Sequence, residues 1–227
     1  MKRFYTSVTV GDDRSILLDG RPVKTPARKL LQLPTVALAD AVAAEWVAQG
    51  DDIDPRIMPM TGLANAAIDR VIPGIEDFVT PLASYAETDL LCYRADSQPD
   101  LAERQAERWN PILDWAAERY AVTFNIVHGI MHQSQPDDTV EALATALRAL
   151  DPFRLAALNP LVTISGSLVI ALAVVDHAML PDIAFETAHL DELWQAELWG
   201  EDYFALQARE IRHADFLAAA RFVDLLD

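Results

Sequence analysis

The sequence predicts an α+β protein: a small N-terminal two-layer domain with antiparallel strands, followed by a larger all-helical C-terminal domain. Three observations carry this. The first 33 residues read as short β-rich runs separated by turn signals. From Pro34 the apolar residues recur at three- and four-residue spacing, the helical period. The charge is also unevenly divided: residues 1–84 hold 9 basic and 11 acidic side chains, while residues 85–227 hold 9 and 24. The expected boundary therefore falls between 84 and 85.

In order along the chain, Tyr5–Val10 is β-branched and aromatic, and Gly11-Asp12-Asp13 supplies a turn. Arg14–Leu18 follows, then Asp19-Gly20, a dipeptide favoured in tight hairpins because both central residues need positive φ. Arg21–Lys24 and Lys29–Leu33 add two more short strands, with Pro22 and Pro26 confining them to edges or ends. Pro34 or Thr35 opens a helix whose Val36, Ala39, Val42, Ala43, Trp46 and Val47 share one face. Thr61 is placed to cap a second helix through Leu63, Ala67, Ile68 and Val71.

Further helices are expected at 75–87, 99–119, 137–149, 161–178, 182–199 and 203–226. Pro111 should kink or break the one at 99–119. In the last, Phe204, Ala208, Ile211, Ala214, Ala218, Phe222 and Leu225 form an amphipathic stripe expected to face the core. Leu155–Val175 is a stretch of 21 residues without formal charge, long enough to span a bilayer. Asn159, Pro160, Thr163, Ser165, Gly166 and Ser167 crowd its first half, however, and its flanks lack a basic cluster. It reads as a central core helix, with no stable membrane insertion.

With 227 residues, 52% of them hydrophobic, the chain can bury a sizeable core. Its net charge of −17 repels phosphate backbones, so nucleic acid is excluded as a partner. Cys92 is the single cysteine, which rules out an intrachain disulfide and fits a reducing compartment. The N-terminus lacks the apolar run of a secretory signal. The chain is expected in a bacterial cytoplasm, or in the mitochondrial matrix if it is a trimmed organellar protein.

No glycine-rich phosphate loop occurs, so no nucleotide or other cofactor is expected. His128 and His132 are four residues apart, as helical zinc ligands often are, and with nearby carboxylates they give an alternative reading as a metal-dependent hydrolase. Gly129 opposes a helix there and no third ligand is near, so no metal site is assigned. Ser165-Gly166-Ser167 does not meet the nucleophile-elbow pattern. Glu87 and Asp89 are a conceivable acid–base pair, but in so acidic a chain closeness in sequence says little. No catalytic residue is assigned.

The segment Leu190–Asp202 is the most informative. On a helical wheel Leu190, Leu193, Trp194 and Glu197 fall on one side, and Glu192, Gln195, Trp199 and Asp202 on the other. Trp199 interrupts an acidic and amide face, either packing under the next helix or anchoring a partner. Glu192, Gln195, Trp199, Glu201 and Asp202 are therefore the candidate partner-binding residues.

Several spaced blocks carry a resemblance. They are Leu18-Asp-Gly-Arg-Pro-Val-Lys-Thr-Pro26, Ile53-x-Pro-x-x-Met-Pro-x-Thr-x-Leu-Ala64 leading to Ala67-Ile-Asp69, and Tyr85-x-x-Thr-Asp-Leu-Leu-Cys-Tyr-Arg94. Gln105-x-x-x-Trp-x-Pro-x-Leu-x-Trp115, Gly166-Ser-Leu168 and Leu190-Asp-Glu-x-Trp-Gln-x-Glu-x-Trp-Gly-x-Asp202 complete the set. In order and spacing the chain resembles the ATP synthase F(1) complex assembly factor 2 family, in its bacterial branch. That resemblance implies a two-domain, non-enzymatic, ATP-independent chaperone. Such a chaperone binds the unassembled alpha subunit of the F-type ATP synthase catalytic sector until the beta subunit replaces it.

Overall fold

Asp19 and Gly20 take φ values of 49° and 76°, the pair of positive angles that a two-residue type I′ hairpin demands. In the computed structural model, which describes all 227 residues, this turn joins β2 (Ile16–Leu18) to β3 (Arg21–Pro22). β1 (Val8–Val10) pairs antiparallel with β2, Val8 opposite Leu18 and Val10 opposite Ile16. The sheet order is β1-β2-β3. The Asp19 carboxylate accepts the Thr6 and Ser7 N–H groups at 3.1 and 2.8 Å, which holds its pKa down to about 2. The expected fourth strand, 29–33, contributes only isolated bridges, Ser15 to Gln32 and Lys24 to Leu30. Arg28, at φ 65°, turns the chain too sharply for a longer ladder.

Thr35 caps α1 (Val36–Val47), accepting the Leu38 N–H at 3.1 Å. The buried side of α1 is Leu38, Ala39 and Val42, which packs on β1 and β2, while Val36 and Val47 are exposed. The buried face is thus rotated from the expected one. α2 (Pro59–Ala66) begins two residues before Thr61, and its cap comes from another element. Glu45 of α1 accepts the Met60 and Thr61 N–H groups at 2.7 and 2.8 Å and the Thr61 hydroxyl at 2.7 Å. A carboxylate at a helix N-terminus satisfies donors that the helix itself cannot, although burial still raises the Glu45 pKa. α2 runs on into a wide turn over Ala67–Val71. There Asp69 accepts the Thr25 hydroxyl at 2.6 Å and the Ala27 N–H at 2.8 Å, so two of the spaced sequence blocks meet at one carboxylate.

The chain divides into two compact units. Met1–Ile75, Asp151–Ala157 and Ala218–Asp227 form the first; Glu76–Leu150 and Leu158–Leu217 form the second. Beyond the first unit's sheet the chain is mostly helical: α3 (Glu76–Ala83), α4 (Pro99–Tyr120), α5 (Asp137–Arg148) and α6 (Pro152–Ser165). They are followed by α7 (Leu168–Val175), α8 (Pro181–Ala188), α9 (Leu190–Trp199) and α10 (Tyr203–Asp224). A two-residue parallel pair, β4 (Tyr93–Arg94) with β5 (Val127–His128), interrupts the expected all-helical part. This α+β architecture, antiparallel strands first and helices after, is the one the sequence predicts.

Three helical expectations are corrected. Pro111 does not break its helix in two but lies inside one continuous 22-residue helix, α4; the residue is exposed, so solvent can serve the carbonyl that loses its N–H partner. The stretch 182–199 is two helices, α8 and α9, separated at His189. The apolar run Leu155–Val175 is also two helices, broken at Gly166, whose φ is 68°. No helix is long and apolar enough to cross a membrane.

The break after α6 is built around Asp89. This fully buried carboxylate accepts the Leu91 N–H and, at the start of α7, the Val169 N–H, both at 3.0 Å. Ser167 adds its own cap, accepting the Ile170 N–H at 3.0 Å, and the Gly166 carbonyl accepts the Leu90 N–H at 3.1 Å. Desolvation outweighs these bonds and pushes the Asp89 pKa up to about 6. Asp89 is therefore a buried helix cap rather than half of an acid–base pair with Glu87. Every residue of α7 is buried, which explains its unbroken apolar composition.

Candidate partner-binding surface

α4 fixes α8 and α9 through three contacts, one to α8 and two to α9. Gln105, buried to 2% exposure, accepts the Ala95 N–H through Oε1 and donates through Nε2 to Asp191, each at 2.8 Å. The indole of Trp109 is fully buried and donates to the Thr187 carbonyl at 3.0 Å. Arg104 grips Glu197 with bonds of 2.9 and 2.8 Å and lies over the Trp194 ring, 4.5 Å from its centroid. Gln105, Trp109 and Trp194 thus have structural duties that fix the orientation of α8 and α9.

α9 ends at Gly200, whose φ of 86° takes the chain out of the helix. Asp202 lies outside α9, so it does not continue the wheel drawn through Glu192, Gln195 and Trp199. It starts the next helix instead, accepting the Ala205 N–H at 2.9 Å. Glu192 accepts from Arg212 at 2.7 Å and from Arg209 at 3.4 Å, and Glu201 also accepts from Arg209. Both arginines belong to α10, so Glu192 and Glu201 hold the α9–α10 hairpin together. Gln195 is half-buried on α9.

Trp199 does not pack under the following helix. It is 73% exposed, and apolar side chains in the first turns of α10, Phe204 and Ile211 among them, which the sequence assigns to the core, are exposed as well. Tyr203 and Phe204 are 64% and 76% exposed, and Ile211, one turn beyond the exposed Ala208, is 64% exposed. The Tyr203 and Phe204 rings meet edge to face at 5.6 Å. Only the later part of α10 buries its apolar residues: Phe216, Ala219, Ala220, Phe222 and Val223. The N-terminal half of the expected stripe is therefore a solvent-facing apolar face, and it follows Trp199 closely in the chain. A row of exposed aromatic and aliphatic residues, rimmed by charge, is a feature of association surfaces.

Other chemistry suggested by the sequence is not assembled. His128 ends β5, Gly129 takes φ 83°, and His132 Nδ1 lies 3.1 Å from the Tyr93 hydroxyl. No group of three or more His, Cys, Asp or Glu residues is placed to hold a metal ion. The Cys92 thiol is buried, and desolvation together with the Asp89 charge pushes its pKa up to about 12. It therefore stays protonated at neutral pH, which deprives it of nucleophilic character. The Ser165 hydroxyl is buried and donates to the Leu161 carbonyl at 2.7 Å, a helix back-bond at the α6 terminus.

Comparison with known proteins gives the family. The family described as ATP12 chaperone protein matches residues 2–117, and the α9–α10 surface lies beyond that segment. The crystal structure of Atp12 from Paracoccus denitrificans superposes with a TM-score of 0.94 at 40% identity, covering 100% of this chain and 98% of that one. Atu1473 from Agrobacterium tumefaciens, a chaperone candidate, gives the same TM-score and identity over 100% of this chain and 86% of that one. The mitochondrial protein atp12 of Schizosaccharomyces pombe is 25% identical over 212 residues, 87% of this chain and 73% of that protein. By the matched half of its sequence and by its full-length fold, the chain belongs to the ATP12 chaperone family.

Proposed function

We propose that this protein is an ATP-independent assembly chaperone of the F-type ATP synthase, and that its client is the unassembled alpha subunit of the catalytic sector. The client docks on the α9–α10 edge, with Trp199 as anchor and Glu192, Gln195, Glu201 and Asp202 around it. The observation that carries this reading is the exposure of Trp199, Tyr203, Phe204 and Ile211 on a hairpin that ion pairs and a helix cap hold in place. An alpha subunit without its neighbour exposes surface meant for burial, which is an aggregation hazard. A rigid apolar patch with a charged rim can cover such surface and still be displaced by the larger native interface. Membership of a chaperone family supports the same role.

The test is to express the alpha subunit alone, with and without this protein, in the absence of nucleotide. A soluble one-to-one complex and suppressed light scattering are expected. Unchanged aggregation, with no complex at micromolar concentrations, would refute the proposal.

A further inference from the structure

The first unit contains a second feature that the α9–α10 surface does not use. A cleft of about 920 Å³ opens beside the hairpin, walled by Phe4, Tyr5, Leu18, Trp46, Ile53 and Met58. Its size falls within the range of about 300–1,000 Å³ typical of ligand sites.

Three observations indicate what it takes. The first is Gly62, which lines the cleft from the middle of α2. Glycine is a poor helix former, and here it takes no left-handed angle and a Cβ would meet nothing within 4 Å. Neither the backbone nor packing within the fold calls for glycine, whereas any larger side chain would project into the cleft's open space.

The second is a donor and an acceptor left over: Trp46 Nε1 and Asn65 Oδ1, on two lining residues, are buried without hydrogen-bond partners. Buried polar groups are normally paired, and one donor with one acceptor is the complement of a peptide group.

The third is charge. Arg21 and Lys24 line the cleft and neither is engaged in an ion pair; against these two cations stands one ionised lining carboxylate, Asp19, whose oxygens are turned to the Thr6 and Ser7 donors. In a chain of net charge −17 this is a local cationic wall.

We propose that the cleft binds an extended peptide segment that presents apolar side chains beside a carboxylate, and that this segment belongs to the client. Ownership by the client rests on the assembly-chaperone reading; the binding chemistry does not. Apolar side chains fill the cleft, its carboxylate meets Arg21 and Lys24, and a backbone amide reaches the shielded Trp46 Nε1 and Asn65 Oδ1 once both side chains rotate toward the cleft. This is groove recognition, in which pockets and a few polar groups select the sequence.

The test uses two fluorescein-labelled hexapeptides, one alternating leucine with glutamate and one alternating leucine with lysine, followed by fluorescence polarisation on the full chain. Overall charge would favour the lysine peptide, whereas the cleft favours the glutamate peptide, so the sign of the preference is diagnostic. At least tenfold tighter binding of the glutamate peptide is expected. Gly62→Leu should abolish it while leaving the melting temperature at or above the wild-type value, because leucine is the better helix former. Arg21→Glu with Lys24→Glu should weaken it at least tenfold, and Trp199→Ala should leave it unchanged.

Absent binding, equal or reversed preference, or binding that survives Gly62→Leu would overturn the site. Binding of the peptide without any complex with the alpha subunit would instead overturn the client's identity and keep the site.

Discussion

Trp199→Ala separates folding from docking. A tryptophan side chain offers roughly 150–250 Å², and Trp199 is 73% exposed, so about 110–180 Å² is available to a partner. At about 25 cal/mol per Å² its coverage contributes about 3–4.5 kcal/mol. Ordering the side chain costs about 0.5–1.5 kcal/mol. The net loss on truncation is then about 1.5–4 kcal/mol, or about 13- to 850-fold in Kd. The exposed indole contributes little to the folded monomer, so the melting temperature should move by no more than about 2 °C. Titration calorimetry or biolayer interferometry against the isolated alpha subunit measures the first quantity, and a thermal scan the second. A Kd within about threefold of wild type would refute Trp199 as an anchor. A large drop in melting temperature would show that it packs in the fold instead.

Other predictions concern the scaffold behind this surface. Gln105→Leu leaves the Ala95 N–H without its acceptor and Asp191 without its amide donor; a loss of about 2–4 kcal/mol in urea unfolding is expected, and less than about 1 would contradict the bridging role. Gly166→Ala meets nothing closer than Leu90 Cβ at 4.0 Å, so its cost is that of the positive φ alone, about 1–2 kcal/mol. The folded Asp89 carboxyl titrates near 6 against an ordinary 3.8, so the folded state holds this proton more tightly than the unfolded one. Its stabilising contribution is present below about pH 4 and is lost as pH rises through 6. Relative to Asp89→Asn, the wild-type urea midpoint should therefore decline between pH 4 and pH 6, and parallel pH profiles for the two proteins would contradict this.

Local signals in the sequence are legible where local chemistry decides the structure. Asp19-Gly20 needs only its own φ preferences to make the hairpin, and Thr35 needs only its hydroxyl to start α1. The long-range caps were not legible. Asp89 serves the start of α7 from about 80 positions away, and Glu45 serves α2 from the face of α1. Nothing in the local pattern of either acid distinguishes it from a solvated carboxylate.

Periodicity misled for a related reason. It identifies which residues of a helix share a face, not whether anything covers that face, and so Phe204 and Ile211 read as core although they are exposed. Part of the candidate edge was legible: Trp199 was singled out because it broke a polar face. The pairing of Glu192 and Glu201 with arginines on the next helix was not legible, because it depends on how α9 and α10 fold back on one another.

The central claim is that the exposed row on α9 and α10 receives the unassembled alpha subunit. Replacing Phe204 by a photoreactive phenylalanine analogue places a crosslinker in the middle of that row, at a side chain 76% exposed and therefore dispensable for folding. Irradiation in the presence of isolated alpha or beta subunit, without nucleotide, should yield a crosslink to the alpha subunit alone. It should disappear when the assembled catalytic complex is supplied instead. Equal crosslinking to both subunits, or none to the alpha subunit at micromolar concentrations, would contradict the account.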